Sequence, residues 1–362
     1  MRPFVTMNWT KLDWKALDRL REQFLRGGIA TGPYWQSADE LAHYDLTYGE
    51  RIGWKWDAVL RELRMRGWKP AARQMLDWGC GSGSAGRRVL AAFGPDHFNE
   101  LLVWDHSPLA TGFAVEAAEQ AFPRVRVSAV TPGFLASDAP IGLLVVSHVL
   151  NELPTEALEE LRRLILRSTA VLWVEPGTHE VARGLQTIRD ELRDAFYVVA
   201  PCTHQNGCGL LAEARERDWC HFFAPPPSEI FANPDWVKFG QRAGIDLRSL
   251  PYCFLALERK PTVAAVHDRR NEGVRTDDGG HRPPLQGDTG LSRVIGRPEL
   301  FKPYARLLNC DATGIAELTL QKRDDLALYK ELDRTKAPLV YRWRRDGARL
   351  LGGERLGAGR AC

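Results

Sequence analysis

Along the first seventy residues, apolar side chains return every three or four positions. Leu12, Ala16, Leu17, Leu20 and Phe24 share one helical face, and Gly27-Gly28 stop that helix. A second helix is predicted over Ala38–Tyr48. A third, over Glu50–Arg66, puts Ile52, Trp56, Val59, Leu60 and Leu63 on one side. These form a helical N-terminal cap, residues 1–70, ending at Lys69-Pro70. From Arg73 the rhythm changes to short apolar runs alternating with helical stretches, the mark of a parallel α/β sheet. Strands are expected at Gln74–Asp77, Leu101–Asp105, Arg124–Ser128, Leu143–Ser147, Thr169–Glu175 and Leu250–Leu257. Helices are expected at Ala85–Phe93, Pro108–Phe122, Thr155–Leu166, His179–Phe196 and near Pro234–Ala243.

Lys260–Pro298 is different material. DRRNEGVRTDDGGHRPPLQGDTG is rich in Gly, Pro, Asp and Arg and has almost no apolar period, so residues 260–298 read as a flexible linker or insertion. Beyond it Val294-Ile295, Tyr304–Asn309 and Gly314–Gln321 read as short strands of a small, mainly β module. The expected organisation is therefore α/β: a cap at 1–70, a nucleotide-type domain at 71–259, the linker, a β module at 299–343 and a basic tail at 344–362.

Composition narrows this picture. The chain has 362 residues, enough for one large domain and a small one. No apolar run approaches the roughly 18 residues of a membrane span, and the start MRPFVTMNWTKLDW lacks a secretory core. No membrane partner is expected, and the default location is the cytoplasm, or the mitochondrion in a eukaryote. An odd count of seven cysteines points to thiol or metal chemistry rather than a disulfide framework. Net charge is only +3, yet from Lys336 onward seven basic residues face only Asp346 and Glu354, with Tyr341 and Trp343 interleaved. That mixture suits phosphate contacts and base stacking, or else a solvated tail.

The first candidate chemistry is Asp77-Trp78-Gly79-Cys80-Gly81-Ser82-Gly83, between a strand and a helix. Alternate glycines let a ligand approach the backbone, and the helix start offers free amides. Asp105 ends the next strand, where a carboxylate can accept from a ribose diol. Cys80 reads as a small packing residue under the ligand. After the fourth strand, Ser147–Pro154 brings His148, Asn151 and Glu152 to the carboxyl edge of the sheet, the nearest thing to a catalytic set. The bland alternative is that they cap a helix and orient a loop. Glu175-Pro176-Gly177 reads as a turn at the rim.

The glycine loop resembles motif I of the class I S-adenosylmethionine-dependent methyltransferases. That resemblance implies that Asp77, Gly79, Gly81, Gly83 and Asp105 bind the methionine and ribose parts of S-adenosylmethionine. The chain has Asn-Glu-Leu-Pro where amine methyltransferases of this type often carry Asn-Pro-Pro-Tyr, so no catalytic motif is recognisable.

The second candidate is Pro201–His221. Cys202, Cys208 and Cys220 are spaced C-x5-C-x11-C, with His204 and His221 nearby. Thiolates favour zinc or iron–sulphur clusters, and three cysteines need a fourth ligand. His204, His221, Cys253, Cys310 and Cys362 are the candidates. Cys253 lies in an apolar strand and reads as core, and Cys362 is terminal. Cys310, in LLNCDATG, ends a predicted strand at a turn, which suits a ligand.

PCTHQNGCGLL followed by DWCHF, downstream of LDWGCGSG and VSHVLNEL, resembles the methyltransferase-like small-ribosomal-subunit proteins of bacteria and mitochondria. The likeness runs from Tyr44 to Lys322 around the linker. Gly209 stands where many relatives carry proline. The resemblance implies a class I methyltransferase fold, assembly of the small ribosomal subunit, rRNA as partner, and a 4Fe–4S cluster on Cys202, Cys208, Cys220 and Cys310. Zinc is the alternative metal. Because 89 residues separate Cys220 from Cys310 across a domain boundary, a structural cluster stapling two regions is expected. Three functions follow: a methyltransferase acting on the subunit, a non-catalytic rRNA-binding assembly factor, or a zinc-binding methyltransferase of a small molecule. The chain alone says nothing of oligomeric state.

Overall fold

Uninterrupted apolar runs such as Ile141–Ser147 can be satisfied only where both faces of a strand are covered. The computed structural model, which describes residues 9–25, 35–261 and 290–358, puts those runs in one sheet. Its strands are β1 (Gln74–Trp78), β2 (Glu100–Trp104), β3 (Arg126–Ala129), β4 (Ile141–Ser147), β5 (Ser168–Pro176), β6 (Phe196–Ala200), β7 (Phe222–Phe223) and β8 (Pro251–Arg259). Their order is β3-β2-β1-β4-β5-β8-β6, with β7 on β8. The strands β1 to β5 pair in parallel, Leu76 lying between Leu102 and Leu144. β6 and β7 run antiparallel to β8. Met75, Leu76, Leu144, Val145, Leu172 and Trp173 are fully buried at the centre. Chain direction through the sheet reverses at β1, and such a switch point opens a crevice at the carboxyl ends of the strands.

The chain divides into two compact units. The first comprises Met1–Glu62, Lys69–Ala182 and His221–Phe254. Its expected helices are present: α1 (Trp14–Leu25), α2 (Ala38–Tyr44) continued by a π turn over Asp45–Gly49, and α3 (Glu50–Met65), whose last residues belong to the second unit. Between the strands lie α4 (Ser84–Phe93), α5 (Pro108–Ala121), a short α6 (Pro132–Ala136), α7 (Thr155–Leu166), α8 (His179–Leu192) and α9 (Pro234–Ala243). Ser37, Ser107 and Asn233 accept backbone N–H groups at the starts of α2, α5 and α9, the capping those residue types favour.

The second unit comprises Leu63–Trp68, Arg183–Cys220 and Leu255–Cys362. Its C-terminal part is a closed barrel of β9 (Leu291–Leu300), β10 (Tyr304–Asp311), β11 (Gly314–Gln321), β12 (Val340–Asp346) and β13 (Arg349–Arg355), with α10 (Leu326–Arg334) between β11 and β12. Leu307, Leu318, Leu320, Leu328, Tyr341 and Leu350 fill its interior.

Four expectations change. The helix predicted to reach Phe196 stops at Leu192, because FYVVA forms β6. The expected linker 260–298 is too long at its end, since Leu291–Pro298 is strand; residues 262–289 lie outside the described residues. Most of the expected tail 344–362 is instead the end of β12 and all of β13, paired through Tyr341↔Arg355 and Asp346↔Arg349, and residues 359–362 lie outside the described residues. Arg344, Arg345, Arg349 and Arg355 stand on a barrel wall. Finally, α10 was not foreseen.

Candidate functional site: a glycine-loop cavity and a cysteine loop

The loop after β1 turns on three left-handed glycines: Gly79 at φ 68°, Gly81 at 50° and Gly83 at 75°. A Cβ on Gly79 would come within 2.8 Å of Val149, and one on Gly83 within 2.9 Å of the Ala114 side chain. A Cβ on Gly81 would meet nothing within 4 Å, because it points into open space. That space is a cavity of about 600 Å³ lined by Gly79, Cys80, Gly81, Asp105, His148 and Glu152, among others. Asp105 braces the loop: its carboxylate accepts from the amides of Gly81 and Ser107, each at 2.9 Å. Burial raises its affinity for a proton, and the two amides oppose that rise. Cys80 is buried, and burial pushes its thiol well above the ordinary range, which suits packing rather than attack.

Asp77 and Gly83, implied as ligand-lining, stand apart from the cavity wall. Asp77 is fully buried and accepts from the Gly86 amide in α4 at 2.9 Å, and burial pushes its pKa up to about 7. It ties strand to helix and so fixes the direction of the α4 N-terminus.

His148, Asn151 and Glu152 do line the cavity. His148 is the one non-glycine with positive φ among the described residues, at 56°. Its Nε2 lies 3.0 Å from Lys55 Nζ and its Nδ1 3.3 Å from Ser147 Oγ, which in turn accepts from Trp56 Nε1 at 2.9 Å. Burial, then the Lys55 charge, hold the imidazole well below its usual pKa, so it is neutral at pH 7. Burial and then Arg51 lower Lys55 to about 8. Lys55 escaped the sequence reading because it sits between two tryptophans of an ordinary-looking amphipathic helix.

Glu175 is not rim but anchor. It is fully buried, and its Oε1 accepts from Trp173 Nε1 at 2.6 Å and from the amides of Val149 and Leu150, each at 3.1 Å. Burial raises it to about 7. Glu152 is likewise raised to about 7, by burial and then by Glu175 and Asp105. Two carboxyls poised near neutrality therefore face the loop and the cavity, where either can hold or release a proton near pH 7.

The cysteine loop belongs to the second unit. Its backbone carbonyls are met by guanidinium groups, two of them buried and one half-buried, as polar groups without a ladder must be. Arg66 donates to the carbonyls of Val199, Pro201 and Cys202 at 2.7–3.1 Å. Arg189 donates to those of His204 and Asn206, and Asp190, its ion-pair partner, accepts from the Cys208 amide. Arg183 donates to the carbonyls of Leu210, Arg215 and Asp218. Cys202, Cys208 and Cys310 are brought close enough that burial first, then their mutual charge, raises the Cys310 thiol well above its usual value and Cys208 to about 11. His204 Nε2 lies 3.4 Å from Cys310 Sγ. β10 runs through Cys310 to Asp311, so the cysteine lies within a strand and not at its end. Cys220 closes the loop just before β7. Cys253 is buried against the Pro176 carbonyl in the first unit, as core; Cys362 lies outside the described residues. Among the described residues, no group of three or more His, Cys, Asp or Glu stands at metal-holding geometry. The donor chemistry fits a soft metal; the spacing of the side chains does not amount to a formed site.

A sheet parallel from β1 to β5 with its switch point at β1, a glycine loop there and an aspartate just after β2 define a fold of the class I methyltransferase type. A family model described as mitochondrial small ribosomal subunit Rsm22 matches residues 55–330, and the chain belongs to that family. Magnesium protoporphyrin IX methyltransferase from Synechocystis PCC 6803, solved with bound SAH, is similar at 14% identity over 68% of this chain and 95% of its own, with a TM-score of 0.37. Precorrin-6y C5,15-methyltransferase from Geobacter metallireducens GS-15 is similar at 12% identity over 55% of this chain and 88% of its own, with a TM-score of 0.33. These likenesses add nothing to what the strand order shows. No curated protein matches. No helix among the described residues is long and apolar enough to cross a membrane.

Proposed function

We propose that this protein binds S-adenosylmethionine and acts on, or in the assembly of, the small ribosomal subunit. The observation that carries the cofactor is the pairing of an open, left-handed Gly81 with the Asp105 carboxylate at the wall of a cavity of about 600 Å³. A Cβ at Gly81 would project into the space the ligand takes, and Gly79 and Asp105 would hold it from either side. Bound there, the cofactor supplies an activated methyl group. The chain's own residues then orient the acceptor and exclude water, which is where most of the acceleration of a displacement arises. Glu152 and the neutral His148 are the groups placed to accept a proton if the acceptor must lose one. The test is titration calorimetry with S-adenosylhomocysteine against Asp105→Ala. A charged hydrogen-bond acceptor is worth about 1.5–3 kcal/mol, so the variant should bind roughly 10- to 100-fold more weakly. Equal affinities would sink the assignment.

A second reading, a non-catalytic rRNA-binding assembly factor, is favoured by one observation. After β4, His148 is already engaged with Lys55 and Ser147, and the amides of Val149 and Leu150 with Glu175, as in a loop-orienting set. Radiolabelled methyl transfer to small subunits from a deletion strain separates the two. We further propose that Cys202, Cys208, Cys220 and Cys310 hold a structural 4Fe–4S cluster, with zinc as the alternative. The convergence of three of these thiols supports it, and metal bound by such a set would add its binding free energy to folding. Anaerobically purified protein with neither iron nor visible absorbance would end the iron reading; zinc in its place would establish the alternative. The compartment follows the source: cytoplasm in a bacterium, mitochondrion in a eukaryote.

A further inference from the structure

The barrel has the strand order of a five-stranded oligonucleotide-type barrel: β9-β10-β11-β13-β12, with β11 and β13 parallel and a helix between the third and fourth strands. In such barrels the outer face of the second and third strands, with the loop joining the first two, is the part most open to ligands. Topology alone does not establish a function, so the chemistry of that face has to carry the argument.

Along β10 the burial alternates, leaving Tyr304, Arg306, Leu308 and Cys310 on the outer face opposite Gln321, Thr319, Glu317 and Ile315 of β11. The two ends of this face differ. At the Cys310 end, Gly209 of the cysteine loop lies against Ile315, where a Cβ would come within 3.0 Å, so that end is covered. The other end carries the turn Phe301-Lys302-Pro303-Tyr304. Phe301 and Tyr304 exchange backbone hydrogen bonds at 2.8 and 3.2 Å, Lys322 donates its amide to the Pro303 carbonyl, and Tyr329 donates its hydroxyl to the Phe301 carbonyl. The turn is thus held from three sides. It presents two stacked rings, centroids 4.7 Å apart, and Phe301 remains 38% exposed. Tyr304 is half-buried and Arg306 lies over the Phe301 ring at 5.7 Å, so the pair is a part-exposed, rigid surface on which a flat ring can stack.

Cations surround it. Lys302 and Arg323 are exposed, and Lys322 reaches over the Tyr329 ring at 5.0 Å. Asp324, 4.0 Å from Arg323, is taken by a bidentate Arg349. Arg306 is neutralised by Glu299 and is not counted as a phosphate contact. Residues 291–358 hold fourteen Lys and Arg against nine Asp and Glu, so the excess charge of the chain concentrates in this barrel.

We propose that the Phe301–Tyr304 turn and the adjoining ends of β10 and β11 bind a single-stranded RNA segment. Unpaired bases stack on Phe301 and Tyr304, and phosphates meet Lys302, Lys322 and Arg323. A duplex keeps its bases inside its own stack and offers no face to these rings, so single strands are preferred. This deepens the small-subunit reading above by naming the surface and the form of RNA it takes.

The test is fluorescence anisotropy of the full chain with a labelled, mixed-sequence single-stranded RNA of about ten nucleotides, within the usual span of one such barrel. Phe301→Ala with Tyr304→Ala should weaken binding at least about tenfold. Lys302→Gln with Arg323→Gln should weaken it and lower the slope of log affinity against log salt by roughly one to two. Both pairs should leave S-adenosylhomocysteine binding intact, and Asp105→Ala should leave RNA binding intact, so failure here is separable from failure of the cofactor assignment. Phe301→Leu, which keeps the apolar bulk but removes the ring, guards against a misfolded double variant; it too should weaken binding several-fold. Unchanged affinity in the folded aromatic variants, or tighter binding of the matching duplex by the wild type, overturns the proposal.

Discussion

The glycine loop and the cysteine loop follow the same plan up to a point, and then part. Each is an irregular segment after a strand, each has its backbone fixed by buried charged side chains, and each brings reactive groups together. In the first, the fixing groups are carboxylates that take up amides: Asp77 on Gly86, Asp105 on Gly81 and Ser107, Glu175 on Val149 and Leu150. In the second they are guanidinium groups that take up carbonyls: Arg66, Arg189 and Arg183. The signs are opposite for a physical reason. Carboxylates that hold the amides in place leave the glycine-loop backbone fixed at the wall of an otherwise largely apolar cavity. Arginines that hold the carbonyls leave the thiols gathered beside positive charge, which favours thiolates once something soft neutralises them. One loop bounds a cavity that is already formed, and the other gathers thiols without a formed site among the described residues.

That contrast can be broken most directly at Arg66. Its guanidinium meets three carbonyls of the second unit, so Arg66→Met should orphan them and cost about 3 kcal/mol or more, read as a lower urea midpoint with unchanged slope. A loss under about 1 kcal/mol would mean the loop is not held as described. A smaller effect sharpens the other side. Glu175 is held near pH 7 in the fold against 4.5 in a model compound, so the folded protein binds this proton more tightly than the unfolded chain. Its contribution is therefore least unfavourable below about pH 4.5, grows costly as pH rises toward 7, and is level above that. Glu175→Gln should narrow the difference in unfolding free energy between pH 5 and pH 8 by roughly 2 kcal/mol. An unchanged difference would show that Glu175 titrates normally and that the loop rests on something else.

Much of the first unit was legible because its signals are local. Asp77–Gly83 announces a tight turn between strand and helix, and α1, α3 and β1 to β5 fall within a few residues of their expected ranges. What was missed depends on distant partners. Phe196–Ala200 follows α8 so closely that its apolar run reads as more helix, and only pairing with Ala256–Arg259 makes it a strand. YRWRRD and RLLGGER look like a solvated basic tail until their alternation is set against each other and against β9 and β11. Lys55 gave no signal at all, since its partner His148 lies 93 positions away. Cys310 was a candidate from its place in LLNCDATG and entered the implied ligand set through the family resemblance; the nearness of His204 to it was not foreseen. Spacing along a chain cannot show which ring a strand will bring beside a thiol.

The parallel pairing of β11 with β13 has a consequence for how the barrel comes into being. The strand that seals the wall is the last to be synthesised, so β11 and β12 emerge from the ribosome with open edges and wait for it. Any chain halted before Arg349 would carry two unpaired strand edges and a half-covered, leucine-rich interior, a shape that recruits other chains. For a protein whose family is tied to the ribosome, β13 thus decides between a sealed wall and a sticky one.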